Sequence, residues 1–325
     1  MMSDAIKDFP NQLAFEPVLA NAENLGTKGK FIVIGMGGSH LAADLLKIIN
    51  PSLDVVIHTN YGLPKMSDEA LAERLIILSS YSGNTEEVLD AWSTAKEKNF
   101  SVAAIAVGGE LLDLAKENNA PYVQIPDTGI QPRSALGFSL KALLKVMGDE
   151  ESLSRIGELA SDFDSVKEED WGRGLAERLE GFVPVIYSSD ENFPIAMNWK
   201  IKFNETGKVP AFANKLPEMN HNEMTGFDVA PGTSGLSENF YFILLQDGGD
   251  NPKISKRIGV LENLLRDRGF NVEVLSLDAD SDDVFRKIFS SLILADWTAY
   301  YLAEQYGVES EQVPMVEEFK NSIRE

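Results

Sequence analysis

Short, mostly apolar runs recur along the first 125 residues, and most are followed by a segment in which apolar residues have helical spacing. The first run, FIVIG, precedes LAADLLKII, where Leu41, Leu45 and Ile48 recur at helical intervals. Continuous apolar runs of this length are typical of strands covered on both faces of a sheet. Because alternating strands and helices imply crossover connections, the pattern predicts a parallel sheet flanked by helices. The predicted strands are Phe31–Gly35, Val55–His58, Leu75–Leu78, Val102–Val107 and Tyr122–Ile125.

The same alternation resumes beyond an acidic segment between Gly148 and Gly181. This segment has helical spacing, and we interpret it as the link between two domains. After it, the predicted strands FVPVIYSS, FYFILLQ and VEVLSL alternate with helices, and a long helix closes the chain. A chain of 325 residues is long enough for two ordinary domains. We therefore predict an α/β fold with a first domain over residues 1–150 and a second over 151–325 that includes the linker 149–180.

The composition limits the classes of function open to this chain. Lys and Arg number 29 against 51 Asp and Glu, which gives a formal net charge of −22. Since nucleic-acid binding depends on clustered Lys and Arg, we expect no nucleic-acid partner. No apolar run is long enough to span a bilayer, the N-terminus MMSDAIKDFP lacks the order of a signal peptide, and cysteine is absent. We therefore expect a cytoplasmic protein with neither a membrane partner nor disulfides.

A glycine-rich turn, GMGGS, joins the first predicted strand to its helix. Glycines there let the backbone approach a ligand, and the free N–H groups of a helix N-terminus favour a phosphate. A dinucleotide-binding turn is excluded because position 40 is His40 rather than glycine, and Thr59 and Asn60 stand where an acid should follow the second strand. No P-loop sequence occurs either. Two interpretations remain open: a phosphate turn with Gly38 and Ser39 as donors, or a tight turn in which Ser39 only caps the helix.

A second turn, SSYSGNTEEV, follows the third predicted strand. Its residues Ser80, Ser82 and Thr85 supply neutral hydroxyl groups, which bind a phosphate without the cost of burying several lysines. The alternative is a serine-rich turn in which Asn84 caps the next helix and Glu87 completes a capping box. Two such turns after strands of one parallel sheet favour a ligand, because ligands of these sheets collect along the carboxyl edge.

GMGGSHLA and SSYSGNTEEV resemble the two sugar-phosphate-binding segments of the sugar isomerase (SIS) domain family. Three further segments, QPRSALG, KFNETGKVPAF and LPEMNHNEMTGF, resemble the bifunctional phosphoglucose/phosphomannose isomerases of that family. The resemblance implies two SIS-type subdomains, each a mainly parallel sheet of flavodoxin-like, doubly wound architecture. It also implies reversible isomerisation of glucose 6-phosphate and mannose 6-phosphate to fructose 6-phosphate through a cis-enediol, with no metal and no cofactor.

The resemblance assigns catalytic roles to four residues. It implies that Glu205 is the base that moves a proton between C1 and C2. It implies that His221 assists ring opening from across a subunit interface, which requires at least a homodimer. Arg133 would stabilise negative charge on the enediol. Lys320 would help to open the ring, although the preceding GVESEQVPMVEEF departs from the Pro-Thr-Pro-like sequence of the family.

Without the resemblance, the base glutamate has a simpler interpretation. Glu205 lies on a predicted helix whose buried stripe is Ile195, Trp199 and Phe203. From spacing alone, Glu205 would be a solvated carboxylate paired with a nearby lysine on the same helix or just after it.

The chain has only three histidines, which is few for a histidine-based metal site. Around His221, Asn220 as a helix N-cap and Glu223 as its capping-box partner would explain the polar neighbours but not the histidine itself. His40 is expected at a helix start near the site, and His58 is expected to be structural.

Two other functions remain compatible with the turns. One is isomerisation of another sugar phosphate, such as a pentose phosphate. The other is a non-catalytic regulator that binds a sugar phosphate and usually carries a DNA-binding or partner module. The sequence contains no basic helix-turn-helix segment and has no spare length for one. A small-molecule hexose phosphate is therefore the expected ligand.

Overall fold

The computed structural model describes residues 1–26, 29–278, 281 and 283–323. The chain divides into two compact units: an N-terminal unit, Asp8–Asp164, and a C-terminal unit formed by Met1–Lys7 with Ser165–Glu325. Helix α1 (Met2–Lys7) thus belongs to the C-terminal unit. The acidic helical pattern predicts a boundary near residue 150, whereas the division after Asp164 places the helix Glu150–Leu159 in the N-terminal unit.

A six-stranded sheet forms the centre of the N-terminal unit. Its strands are β1 (Leu19–Ala20), β2 (Phe31–Ile34), β3 (Val55–His58), β4 (Leu75–Ser79), β5 (Val102–Ala106) and β6 (Tyr122–Gln124). The strand order is β1-β6-β5-β4-β2-β3, and only the β1–β6 pair is antiparallel. The five strands predicted from the apolar runs are confirmed as β2 to β6. Every residue of β2, β4 and β5 is buried, as expected for strands covered on both faces.

Helices cover the sheet of the N-terminal unit. They are α2 (Phe9–Ala14), α3 (Gly38–Ile49), α4 (Asp68–Ala72), α5 (Glu86–Glu97), α6 (Gly109–Glu117), α7 (Leu136–Met147) and α8 (Glu150–Leu159), with 3-10 helices at Ala22–Asn24 and Pro132–Ser134. Trp92 of α5 and Leu111 of α6 pack with Ile32, Ile76 and Ala104 of the sheet in one apolar cluster. Helices α3 and α7 pack against each other and contact β2 and β5. Apart from β1, the order β3-β2-β4-β5-β6 is the flavodoxin-like one, so the predicted doubly wound architecture is confirmed.

The C-terminal unit contains a second sheet that is parallel throughout. Its strands are β7 (Val183–Ser189), β8 (Phe212–Leu216), β9 (Phe240–Gln246) and β10 (Asn271–Ser276), in the order β10-β9-β7-β8. Its further helices are α9 (Glu169–Leu179), α10 (Phe193–Glu205), α11 (Pro252–Asp267), α12 (Val284–Tyr306) and α13 (Pro314–Ile323). Three 3-10 helices cover Glu218–His221, Glu223–Phe227 and Ser234–Leu236. The single long closing helix expected from the sequence is therefore two helices, α12 and α13.

Helix α11 and the two 3-10 helices of residues 218–227 share one apolar cluster in this unit. Met219 and Leu261 pack there with Tyr187 and Phe242 of the sheet. Helix α12 packs against α9 and α10. Within the described ranges, no helix combines the length and apolarity needed to cross a membrane.

Candidate functional site

The two predicted phosphate turns follow neighbouring strands of the first sheet. Strand β2 pairs with β3 on one side and with β4 on the other. The strand order along the sheet therefore changes direction at β2, which is a topological switch point. Ligands of open α/β sheets bind outside the carboxyl ends of the strands at such a switch point. The turn after β2 contains Gly38 and Ser39, and the turn after β4 contains Ser80, Ser82 and Thr85.

Helix α3 begins two residues earlier than it would if Ser39 were its N-cap. Gly37, with φ +51°, is the N-cap, and α3 starts at Gly38, so the interpretation of Ser39 as the cap is wrong. A Cβ on Gly38 would lie 2.8 Å from the backbone nitrogen of Arg133. Only glycine allows this approach, which brings the 3-10 helix carrying Arg133 against the start of α3.

Ser39 joins the two turns instead of capping a helix. Its side chain is buried, and its Oγ accepts a 2.9 Å hydrogen bond from the backbone N–H of Tyr81. In return, the Ser79 hydroxyl donates to the Ser39 carbonyl at 2.9 Å. This reciprocal pair fixes the spacing of the two turns, a role that sequence reasoning missed because the partners lie about 40 residues apart.

Two hydroxyl groups of the second turn are hydrogen-bonded to each other. Ser80 is fully buried, and its Oγ lies 2.8 Å from Oγ1 of Thr85. Thr85 is the N-cap of α5, so the prediction that Asn84 caps this helix is wrong. Ser82 is exposed, and its Oγ accepts a 3.2 Å hydrogen bond from the backbone N–H of Asn84.

Asn84 has a different role, which is to hold the turn against the next loop of the sheet. Its Oδ1 accepts a 3.0 Å hydrogen bond from the backbone N–H of Glu110 at the start of α6. Gly83 has φ +72°, and a Cβ there would lie 1.8 Å from the Gly108 carbonyl oxygen. The turn therefore requires glycine at position 83 for both conformation and space.

Arg133 is almost completely buried, with 1% of its surface exposed. The backbone around it is held by Gln12, whose Nε2 donates to the Ser134 carbonyl at 2.7 Å and whose Oε1 accepts from the Gly137 N–H at 3.1 Å. Gln12 was not identified from the sequence, since nothing local indicates a partner more than 100 residues away. The structure thus brings Arg133 and the two predicted phosphate turns to one edge of the N-terminal unit.

The other three predicted catalytic residues belong to the C-terminal unit. Glu205 is the last residue of α10 and is half-buried. The predicted apolar stripe of this helix is confirmed, since Ile195, Trp199 and Phe203 are fully buried. Just after the helix, the Lys208 ammonium donates to the Glu205 backbone carbonyl at 2.6 Å and also to the Gln312 carbonyl. The chain before α13 therefore runs beside the end of α10.

One turn before Glu205, α10 contains a buried ion pair. The Lys202 ammonium lies 2.6 Å from Oδ2 of Asp296 on α12, with side-chain exposures of 2% and 6%. The burial of Lys202 was not apparent from the sequence. The pair joins α10 to α12 close to the proposed base.

His221 is exposed at the end of the 3-10 helix Glu218–His221. The predicted cap is wrong here as well: Asn222, not Asn220, caps the next 3-10 helix, and its Oδ1 accepts from the Glu223 N–H at 2.6 Å. Asn220 instead accepts a 3.2 Å hydrogen bond from the Arg257 guanidinium.

The Glu223 carboxylate binds the sheet rather than a helix start. Its Oε1 accepts from the Tyr187 hydroxyl at 2.6 Å, and its Oε2 accepts from the Asn214 amide. Burial, reinforced by the hydrogen bond to Glu223, raises the pKa of Tyr187 well above its usual range. The tyrosine therefore remains a hydrogen-bond donor at every physiological pH.

Lys320 lies in α13, and its ammonium donates to Glu317 at 2.8 Å; both side chains are more than half exposed. His40 is the third residue of α3 and pairs through Nδ1 with Asp44 at 2.8 Å, while His58 ends β3. Within the described part of the chain, no group of three or more His, Asp or Glu side chains is arranged to hold a metal ion.

Comparison with known proteins identifies relatives that match nearly the whole chain. Residues 168–323 match the family described as the bacterial phospho-glucose isomerase C-terminal SIS domain. A bifunctional phosphoglucose/phosphomannose isomerase of Aquifex aeolicus is 30% identical over 98% of this chain and 97% of its own length. One from Thermoplasma volcanium is 31% identical over 92% of this chain and 93% of its own length. The structure of tagatose-6-phosphate ketose/aldose isomerase from Escherichia coli has the same fold, with a TM-score of 0.70 at 17% identity over 95% of this chain and 94% of that one.

Proposed function

The chain belongs to the family of bifunctional phosphoglucose/phosphomannose isomerases, and we propose that it interconverts glucose 6-phosphate and mannose 6-phosphate with fructose 6-phosphate. The observation that carries the proposal for this chain is the pair of turns at the switch point of the first sheet, held together through Ser39. These turns present amides and neutral hydroxyls to an anion, as a sugar phosphate requires.

The phosphoryl group would be held by Ser80, Ser82 and Thr85 together with the Gly38 N–H and the Ser39 hydroxyl, since the Ser39 N–H already donates to the Met36 carbonyl. The dipole of α3, a helix of 12 residues, favours negative charge at its N-terminus. The net charge of −22 would repel an anionic ligand. Binding would therefore depend on the hydrogen-bond donors of the two turns and not on the field of the whole protein.

The chemistry requires a base, an acid for ring opening and a group that stabilises the enediol. We assign Glu205 as the base that moves the proton between C1 and C2 without a metal. Arg133 would face the enediol oxygens, where its guanidinium would offset the developing negative charge. Lys320 and the His221 of a second subunit would assist ring opening, so the active form would be a homodimer in the cytoplasm.

The test is a coupled assay of fructose 6-phosphate formation from each hexose phosphate, with Glu205→Gln as the variant. We expect kcat to fall by about 10²- to 10⁴-fold, as loss of a positioned base usually causes. Glu304→Gln is the matched control, because Glu304 is exposed on α12 of the same unit. Equal rates for wild type and Glu205→Gln would remove Glu205 as the base.

The same preparation separates the alternatives. An isomerase of another sugar phosphate would turn over a pentose phosphate in preference to the hexose phosphates. A regulator would bind hexose phosphate in calorimetry without turnover. A rate abolished by EDTA and restored by a divalent ion would contradict the metal-free mechanism.

A further inference from the structure

Lys208 has a backbone conformation that its own side chain disfavours. Its φ is +56°, in the left-handed region where a Cβ crowds the following carbonyl oxygen. Helices commonly end with a left-handed glycine, and Gly207 directly precedes Lys208, yet it is the lysine that is left-handed. Three of the five described non-glycine residues with positive φ are asparagines, which tolerate it best. A lysine kept in this conformation indicates that its side chain makes contacts that offset the cost.

The Lys208 ammonium makes two hydrogen bonds of this kind. It donates to the Glu205 backbone carbonyl at 2.6 Å and to the Gln312 backbone carbonyl, 104 positions further along the chain. Because Glu205 ends α10, its carbonyl is one of the last four of the helix, which have no partner within the helix. The positive charge also complements the negative end of the α10 dipole. One ammonium thus serves the end of α10 and a distant segment.

The turn around Lys208 is closed by two further hydrogen bonds. The Val209 N–H donates to the Phe203 carbonyl at 3.2 Å, and the Asn204 amide donates to the Val209 carbonyl at 3.0 Å. Lys208 itself is half-buried. Its side chain therefore starts from a fixed position beside the last turn of α10, unlike that of an ordinary surface lysine.

The second acceptor belongs to the segment that leads into α13. Gln312 lies two positions before Pro314, the first residue of α13. The Glu309 carboxylate shapes this segment by accepting from the backbone N–H groups of Glu311 at 2.7 Å and Gln312 at 2.5 Å. No described residue of α13 is buried, so packing alone holds this helix weakly to its own unit. The hydrogen bond from Lys208 joins the shaped segment to α10.

We propose that Lys208 is a positioning residue, which holds the backbone of Glu205 and the start of α13 in one arrangement. Helix ends fray, so a last turn without this donor would let Glu205 leave its place. The same two hydrogen bonds fix where α13, the helix of Lys320, leaves the unit. The effect on catalysis rests on the proposed function, whereas the link between the two backbone segments does not.

Rapid-mixing hydrogen–deuterium exchange tests the link without substrate. We expect amides of residues 203–209 and 312–317 to exchange at least about 10-fold faster in Lys208→Met than in the wild type, because hydrogen bonds from a charged group are lost. Lys256→Met is the matched control, since Lys256 is an exposed lysine on α11 of the same unit. It should leave both segments unchanged. Unchanged exchange in Lys208→Met would overturn the link.

Steady-state kinetics test the effect on catalysis, with fructose 6-phosphate as the substrate. We expect Lys208→Met to lower kcat about 10- to 100-fold, because a small displacement of the base slows proton transfer. KM should stay within about twofold of the wild-type value, since the phosphate turns are formed by other residues. Lys208→Arg should restore part of the kcat, because a guanidinium can also donate to two carbonyls.

Lys208→Gly separates positioning from folding. Glycine removes the ammonium but adopts the left-handed conformation without steric cost, so this variant should melt at a higher temperature than Lys208→Met. Its kcat should nevertheless be as low as that of Lys208→Met. Activity that follows the melting temperature, or a wild-type kcat in Lys208→Met, would overturn the positioning role. A wild-type chain that turns over no hexose phosphate would instead refute the proposed function, and the exchange measurement would still decide the link.

Discussion

The hydroxyl of Tyr187 donates a 2.6 Å hydrogen bond to Oε1 of Glu223, two residues beyond His221. The Asn214 amide donates to the other oxygen of the same carboxylate. Tyr187 lies on β7 and Asn214 on β8, so one carboxylate ties the segment that carries His221 to two strands of the sheet. His221 itself is exposed, and its direction depends on how firmly this short segment is held.

We therefore expect Glu223→Ala to displace His221, the proposed ring-opening group, and to lower kcat about 10- to 100-fold, because a small displacement of a catalytic group has an effect of this size. The KM for fructose 6-phosphate should change little, since the phosphate turns are formed by other residues. Steady-state kinetics separate the two constants. Tyr187→Phe keeps the hydrogen bond from Asn214 to Glu223 and should lose less activity. A Glu223→Ala enzyme with wild-type kcat would show that the carboxylate does not position His221.

A second prediction concerns the buried pair of Lys202 and Asp296. Asp296→Asn removes the carboxylate that lies 2.6 Å from a lysine with 2% exposure. We expect the free energy of unfolding to fall by about 3–5 kcal/mol, as breaking a buried pair from one side usually does. Urea denaturation measures this change in the free energy of unfolding. The double variant Lys202→Met with Asp296→Leu should recover most of this loss, because matched apolar side chains replace a buried pair at little cost. A double variant as unstable as Asp296→Asn would contradict this account.

The strands were predictable because their signal is local. Runs such as FIVI and LIIL have no polar residue to place in water, so burial on both faces is the only favourable arrangement. The parallel sheet and the placement of both turns at its carboxyl edge then follow from connection rules that hold for most parallel sheets, whereas the flavodoxin-like strand order was implied by the family resemblance.

Helix caps were predicted less well, since a cap depends on backbone angles and on competing partners. Ser39, Asn84 and Asn220 all have the right chemistry for a cap, yet each side chain has a partner from another part of the chain. Ser39 accepts from Tyr81, Asn84 accepts from Glu110, and the third accepts from an arginine of α11. Nearby residues occupy the N-cap positions instead.

The supporting contacts of the candidate site could not be read from the sequence for a related reason. Gln12 holds the backbone beside Arg133 across more than 120 positions, and Lys202 meets Asp296 across 94. Pairing over such separations leaves no periodic pattern, so the sequence reveals the candidate residues but not the groups that hold them in place.

A third prediction uses two neighbouring aspartates with opposite pKa shifts. Burial raises the pKa of Asp250, and its Oδ2 has no hydrogen-bond partner among the described residues. Burial also opposes ionisation of Asp247, but hydrogen bonds from Lys287, Gly249 and Asn192 outweigh it and lower the pKa. The ionised form thus destabilises the folded state at Asp250 and stabilises it at Asp247.

We expect Asp250→Asn to increase the free energy of unfolding at pH 7, because the penalty of its carboxylate grows as pH rises above about 4 and through its raised pKa. Asp247→Asn should decrease it by about 1–3 kcal/mol at pH 7, because Lys287 loses its negatively charged partner. The stabilisation from Asp247 is present above about pH 4 and is lost as pH falls through its lowered pKa. Denaturation at pH 7 and at pH 4 measures both effects, and changes of the same sign in the two variants at pH 7 would contradict the assignment.

The last prediction separates binding from folding within the hydroxyl turn. Ser82 is exposed, so Ser82→Ala should raise the KM for both hexose phosphates about 10-fold by removing one hydrogen bond to a charged group. The melting temperature should fall only slightly, because the bond that Ser82 accepts from the Asn84 N–H is exposed to solvent. Ser80 is buried and bonded to Thr85, so Ser80→Ala should raise KM and also lower the melting temperature. Ser93→Ala is the control, because the Ser93 hydroxyl bonds only to the Leu89 carbonyl of its own helix in the described structure. If Ser82→Ala leaves KM at the wild-type value, Ser82 does not contact the phosphate.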